Sequence, residues 1–234
     1  EDYLGKIEKE VKAASSLGIK ASFTDTIPFQ MKIKGAVQFK NQAQFHPGKF
    51  LMAISQIVNS KGVEIYEQTR IVDIEKNIMD GYILTSSNGN KITGKKVIIA
   101  SHFPFYNKHK MYYSKIYQER AYIIAIKTKE KYPDGMYISA EEPTRSLRGL
   151  KSNGQEFVLI AGENHKAGQS ENTQKHYEAL AKFADELFTI KDIPYHWSTQ
   201  DCMTMDSIPL IGEYSEDFKN LYMTTGFNKW GMTS

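Results

Sequence analysis

The chain closes on a short apolar strand that runs straight into a glycine-bracketed turn. Leu221-Tyr222-Met223-Thr224-Thr225 is followed by Gly226-Phe227-Asn228-Lys229-Trp230-Gly231-Met232-Thr233-Ser234. A strand leading into such a turn is the usual prelude to a helix whose free N–H groups face an anion or a ring oxygen. Architectures of this kind gather ligands at the carboxyl ends of their strands. The pattern therefore predicts an α/β (α+β) fold with a ligand-facing rim from Gly226 onward.

A second segment points the same way. Val97-Ile98-Ile99-Ala100 is a continuous apolar run without alternation, the mark of a strand covered on both faces in a parallel sheet. It ends on Ser101-His102-Phe103-Pro104, small residues first, where an open sheet receives its ligand. Before it, Pro47 opens a helix to about Asn59 with Phe50, Leu51, Ile54, Ile57 and Val58 as its buried stripe. Strands are expected at Val63–Tyr66, Arg70–Glu75, Tyr82–Ser86 and Lys96–Ala100, with Asn77, Asp80-Gly81 and Ser87–Asn90 in turns.

Elsewhere, Leu4, Ile7, Val11 and Ala14 space a first helix over residues 3–15. Residues 21–45 read as strand-like, with Phe23, Ile27, Phe29, Met31, Ile33, Val37 and Phe39 in loose alternation. Residues 121–126, 136–139, 145–149 and 156–161 are candidate strands of a mixed or antiparallel sheet. Gly162–Thr173 reads as a polar loop and Thr173–Phe188 as a helix. Strands at 193–200, 208–212 and 221–225 complete the reading.

Thirty basic and twenty-seven acidic residues leave a net charge of +3, scattered rather than blocked. That argues against nucleic-acid binding. One cysteine, Cys202, permits neither an internal disulfide nor a Cys-based metal cluster within this sequence. It points to a reducing compartment, most simply the cytoplasm. No apolar stretch reaches the ~20 residues of a membrane span.

Four segments together carry a family resemblance, over His46 to Ser234. They are His46-Pro47 with its helix and Gly62-Val63-Glu64-Ile65, Gln68–Glu75, Val97–Ser101, and Asp206-Ser207-Ile208-Pro209-Leu210-Ile211-Gly212 with Gly226–Ser234. In these the sequence resembles the FAD-dependent amine and amino-acid oxidoreductases of the D-amino-acid oxidase superfamily, such as glycine and sarcosine oxidase. The resemblance implies a substrate-domain mixed sheet plus an incomplete FAD-binding domain. It assigns 1–45 and 105–195 to the former, 46–104 and 196–234 to the latter. It implies FAD contacts at Ile71, Ala100, Ser101, Gly226, Asn228, Lys229, Gly231, Met232 and Thr233. Substrate contacts fall to Asp201, Arg145, Arg148 and Tyr137.

The family opens on Gly-x-Gly-x-x-Gly, whose backbone holds the cofactor pyrophosphate, and this sequence lacks it. The expectation is an internal segment that binds FAD weakly or not at all and partners with missing N- and C-terminal parts of the same chain. The intact protein is expected to oxidise the C–N bond of a small amine or amino acid by hydride transfer to FAD. Where relatives place an arginine before the Asp-x-x-Pro turn, this chain has Gln200-Asp201-Cys202. Asp201 suits a cationic amine, whereas Arg145 and Arg148 either serve a carboxylate or lie on the surface. His46 and His102 read as structural histidines close to the cofactor side. The electron acceptor is left open between oxygen, a quinone and an iron–sulfur module, which some relatives append. The rival reading is a non-catalytic ligand- or protein-binding domain without a redox cofactor.

Overall fold

A computed structural model describes residues 3–108 and 110–232. The chain divides into two compact units, Glu1–Ile65 with Ile123–Gly162 and Tyr177–His196, and Tyr66–Tyr122 with Glu163–His176 and Trp197–Ser234.

In the first unit, helix α1 (Tyr3–Ser16) accompanies a short antiparallel hairpin, β1 (Ala21–Thr24) and β2 (Ala36–Phe39), registered Ala21 to Phe39 and Thr24 to Ala36. The strand-like pattern of 21–45 thus produces only these two strands. Pro28 lacks the N–H a ladder needs, and Ile27, Phe29, Met31 and Ile33 lie in irregular chain between them. Phe29 packs instead with Tyr137 at 4.8 Å and Phe188 at 5.7 Å between ring centroids. Helix α2 (Pro47–Ser60) begins as expected, with Pro47 in its first turn and His46 as N-cap, Nδ1 accepting the Lys49 N–H at 3.3 Å. Its apolar stripe, however, is not buried. Phe50, Leu51, Ile54 and Ile57 are 49%, 54%, 41% and 52% exposed. Residues 63–66, expected as a strand, are irregular chain.

Five strands form one sheet. They are β7 (Ile116–Thr128), β8 (Met136–Ile138), β9 (Arg145–Ser152), β10 (Gln155–Lys166) and β11 (Ile190–Thr204), in the order β11-β7-β10-β9-β8. The β9–β10 hairpin turns on Asn153-Gly154, both at positive φ (49° and 73°), as a two-residue turn matched to strand twist requires. Strand β10 continues to Lys166, so the expected polar loop starts later than Gly162. Within the first unit, Ile124, Ile126, Leu147, Val158 and Ile160 are buried, as are Leu180 and Ala184 of helix α3 (Gln174–Asp185). Arg145 stacks its guanidinium on Phe183 of α3, 4.8 Å from the ring centroid, which places α3 over that face of β9.

The second unit holds two three-stranded sheets. β3 (Ile71–Lys76), β4 (Tyr82–Ser86) and β5 (Lys91–Gly94) are antiparallel. β5 is the closing strand of a hairpin that the sequence reading passed over. The other sheet has the order β12-β13-β6, from β12 (Leu210–Glu213), β13 (Leu221–Thr225) and β6 (Val97–Ile99). β6 pairs with β13 in parallel, Val97 to Leu221 and Ile99 to Met223, as its apolar run predicts. It is covered on one face only. Val97 and Ile99 join Ile74, Tyr82, Tyr106, Tyr214, Phe218, Leu221 and Met223 in the core, whereas Ile98 is 69% exposed at the sheet edge. Each of those buried side chains removes apolar area worth roughly 1.5–3 kcal/mol. Tyr82 anchors the core by donating its hydroxyl to the Lys219 carbonyl at 2.8 Å. No helix among the described residues is long and apolar enough to cross a membrane.

Candidate functional site

Because β6 and β13 are parallel, their carboxyl ends emerge at one edge of the sheet. Ala100-Ser101-His102 leaves one strand there and the Gly226 turn leaves the other. Thr225 Oγ1 donates to the His102 carbonyl, and His102 Nε2 donates to the Gln200 carbonyl at 2.7 Å. The two turns are therefore fastened to each other and to β11. Gly226 is obligatory in its place. Its φ is +75°, and a Cβ would overlap Thr204 Cγ2.

Beyond it, Asn228 acts as a staple. Its N–H donates to the Cys202 carbonyl at 3.0 Å, its Oδ1 accepts the Thr204 N–H at 3.1 Å, and its Nδ2 donates to the Ser207 carbonyl at 3.1 Å. Asp206 Oδ1 accepts the Ile208 N–H at 3.0 Å and closes the turn before Pro209.

Lys229 carries the charge of this turn. Its Nζ lies 2.9 Å from Asp201 Oδ2 on β11 and 2.9 Å from Glu119 Oε1 on β7. The lysine side chain is 41% exposed, while the two carboxylate side chains are 21% and 24% exposed. Partial burial works against the ammonium, but hydrogen bonds and attraction from the two carboxylates outweigh it and hold the lysine pKa above its ordinary value. Beneath the turn, burial raises the Cys202 thiol, an effect the Thr225 hydroxyl offsets in part.

The sequence-derived site residues fall into two groups. Ala100, Ser101, Gly226, Asn228, Lys229, Gly231, Met232 and Asp201 belong to the second unit, around this edge and its turn. Thr233 lies outside the described residues. Ala100 and Ser101 are exposed, and Ser101 Oγ donates to the Phe103 carbonyl at 2.8 Å. Ile71, at the start of β3, packs partly buried against the core of the same unit. Both polar ends of the Asn228 amide are occupied by protein, so that side chain shapes the turn.

Arg145, Arg148 and Tyr137 belong to the first unit. Three positions apart on one strand, the arginines project to opposite faces of β9. Arg145 lies on Phe183, and Arg148 Nη2 donates to the Phe45 carbonyl at 3.2 Å. The Tyr137 hydroxyl donates to the Asp134 carbonyl at 2.8 Å, and burial raises its pKa. Glu119 was missed by sequence reasoning. A lone acid inside a strand-forming run was the signal available.

A recess of about 500 Å³ in the second unit is lined by Lys110, Tyr112, Lys115, Glu213, Glu216 and Asp217 among others. It lies at the wrong end of the sheet for the turns. Glu213 pairs with Tyr222 at the start of β13, whereas Leu210 pairs with Thr225 beside the turn. Among the described residues no group of three or more His, Cys, Asp and Glu side chains is placed to hold a metal ion.

The family model described as FAD dependent oxidoreductase (DAO) matches residues 1–234, the whole chain. The chain belongs to that family. It is 41% identical over 234 residues to YhfW of Bacillus subtilis (strain 168), named as a Rieske 2Fe-2S iron-sulfur protein. That match takes in 100% of this chain and 46% of YhfW. Among solved structures, glycine oxidase from Geobacillus kaustophilus superposes with a TM-score of 0.74 at 16% identity, over 96% of this chain and 62% of that one. Fructosyl peptide oxidase from E. terrenum does so with a TM-score of 0.67 at 12% identity, over 97% and 63%. At such identities the likeness establishes the fold, a mixed α/β architecture of the glycine oxidase kind. The chain spans less than half of YhfW and under two thirds of each oxidase.

Proposed function

We propose that a protein containing this chain oxidises the C–N bond of a small amine or amino acid by hydride transfer to FAD. The observation that carries the reading is the convergence of the β6 and β13 carboxyl ends, in a chain whose whole length matches an FAD-dependent family. The edge fits a flat ring on structural grounds. Ala100 and Ser101 bring small exposed residues to the end of β6, and Gly226 turns the backbone without a side chain. Ala100, Ser101, Gly226, Lys229, Gly231, Met232 and Thr233 are the residues proposed to line the cofactor, with Ile71 toward its adenine end.

Bound FAD would supply the hydride acceptor. The chain's own part is to fix that edge and set the charge beside it. Thr225, His102 and Asn228 hold the turns rigid, and Lys229 keeps its proton. This division of labour needs no acid–base pair when the amine enters neutral. Gly-x-Gly-x-x-Gly does not occur in these 234 residues, so this chain alone is proposed to bind FAD weakly and to be inactive. The activity is proposed for a protein of its relatives' full length, and the cytoplasm is the proposed compartment on the strength of the single cysteine.

The name of YhfW favours one variant, in which electrons leave the flavin for an iron–sulfur centre outside these residues rather than for oxygen. The test is anaerobic mixing of the full-length, FAD-loaded protein with a panel of amines and amino acids, following the flavin absorbance. Bleaching by at least one of them is expected. A panel that leaves the flavin oxidised, with a well-bound spectrum, would overturn the proposal and favour the ligand-binding alternative. Oxygen consumption against reduction of a one-electron acceptor then separates the two electron routes.

A further inference from the structure

An ammonium has three N–H donors. Two of those on Lys229 are committed, to Glu119 and to Asp201, each at 2.9 Å. Two carboxylates against one ammonium leave the cluster with a net charge of −1 beside the Gly226 turn. The acids are the better-buried members, so their charge is less screened than that of an exposed pair. A carboxylate approaching this cluster would find one free N–H, against the bidentate fork that recognises carboxylates best, and a surplus negative charge behind it. The two arginines considered for that task have contacts of their own in the first unit. Arg145 rests on Phe183 and Arg148 is bonded to the Phe45 carbonyl, both within the other unit.

We infer that Glu119 and Asp201 are positioning residues that clamp Lys229, and that the resulting net-negative cluster selects an amine lacking an α-carboxylate over the corresponding amino acid. The substrate class rests on the oxidase reading above; the clamp does not. Glu119 reaches the turn from β7 and Asp201 from β11, so Lys229 is gripped from two strands. The ammonium is thereby confined to one direction and one remaining donor. It also stays protonated through the neutral and mildly alkaline range, which bars it from acting as a base there. The lysine thus serves as a fixed donor to a single acceptor atom of whatever the turn receives.

Two measurements test the two halves separately. In the 234-residue chain with ¹⁵N-labelled lysines, the Lys229 Nζ titration is followed by NMR in the wild type, Glu119→Gln and Asp201→Asn. Lys229 is expected to titrate above the ordinary lysine value, and each substitution is expected to lower its midpoint. A Lys229 that titrates at the ordinary lysine value, or is unmoved by both substitutions, overturns the clamp. Two variants are used so that a folding failure in one leaves the other to decide.

In the full-length FAD-loaded protein, kcat/KM is compared for matched pairs that differ only by the α-carboxylate, such as benzylamine and phenylglycine. The amine is expected to be preferred. Glu119→Gln, which brings the cluster to neutrality, is expected to narrow that preference about tenfold through KM for the amino acid, since one charge at a half-screened site is removed. A wild type that prefers the amino acid, or a ratio unchanged in Glu119→Gln, overturns the selectivity. A wild type that oxidises neither member of any pair sinks the oxidase reading and this selectivity with it, leaving the clamp to stand or fall on the titration.

Discussion

Replacing Gly226 by alanine is the sharpest test of the geometry at the sheet edge. At φ +75° an added Cβ meets two obstacles at once. The left-handed backbone conformation costs a non-glycine residue about 1–2 kcal/mol. The overlap with Thr204 Cγ2 is a small-to-large change in packed surroundings, worth about 1–3 kcal/mol more. At roughly 2–4 °C per kcal/mol for a chain of this size, the variant should melt roughly 10 °C below the wild type.

Gly89 supplies the control. Its φ is +85°, but nothing lies within 4 Å of an added Cβ, so Gly89→Ala carries the backbone cost alone. The excess loss in Gly226→Ala over Gly89→Ala then measures the clash. Thr204→Ser deletes the offending methyl and keeps the hydroxyl, so the pair Gly226→Ala and Thr204→Ser should couple favourably by about 1–3 kcal/mol in a double-mutant cycle. The assay is urea unfolding followed by circular dichroism. Equal losses in the two alanine variants, or an additive double mutant, would refute the claim that the turn is wedged against β11.

Cys202 is buried beneath the same turn with its thiol pKa raised. At neutral pH it should react with a disulfide reagent at least about a hundredfold more slowly in the folded chain than in urea, a ratio set by opening of the structure. Asp73 is paired with Lys108 at 2.6 Å, and its pKa is lowered chiefly by that hydrogen bond. A lowered folded-state carboxylate stabilises above the ordinary value of 3.8 and loses that contribution as pH falls through the folded pKa. Asp73→Asn should therefore flatten the acid limb of stability against pH, and added salt should shrink the difference from wild type.

Much of this architecture was legible in the sequence where local pattern and final environment agree. Helices α1, α2 and α3 lie close to where three- and four-residue spacing puts them, and the unbroken apolar run 97–100 announced a parallel strand. Pattern misleads where partners are missing. The alternation of residues 25–35 resembles a strand, but Pro28 removes a ladder donor and the segment is irregular. The stripe on α2 reads as buried, yet Phe50, Leu51, Ile54 and Ile57 stay about half exposed, with Phe45 packing edge-on against Phe50. Residues 63–66 have strand-like composition and stay irregular. The candidate site shows the same division. Turn glycines and small residues at strand ends are local signals and were found. Glu119 matters only because Lys229, 110 positions later, folds back onto it, and no local pattern encodes that pairing.

The Asn228 staple has a consequence for how such a protein ages. Asparagine side chains slowly hydrolyse to aspartate, and the product here would keep the oxygen that receives the Thr204 N–H while losing the amide hydrogen offered to Ser207. An oxygen would then sit 3.1 Å from the Ser207 carbonyl oxygen, two acceptors facing each other. One spontaneous chemical change would thus loosen the turn from the Ser207 corner that follows β11, converting a shelf-life problem into a loss of geometry at the sheet edge.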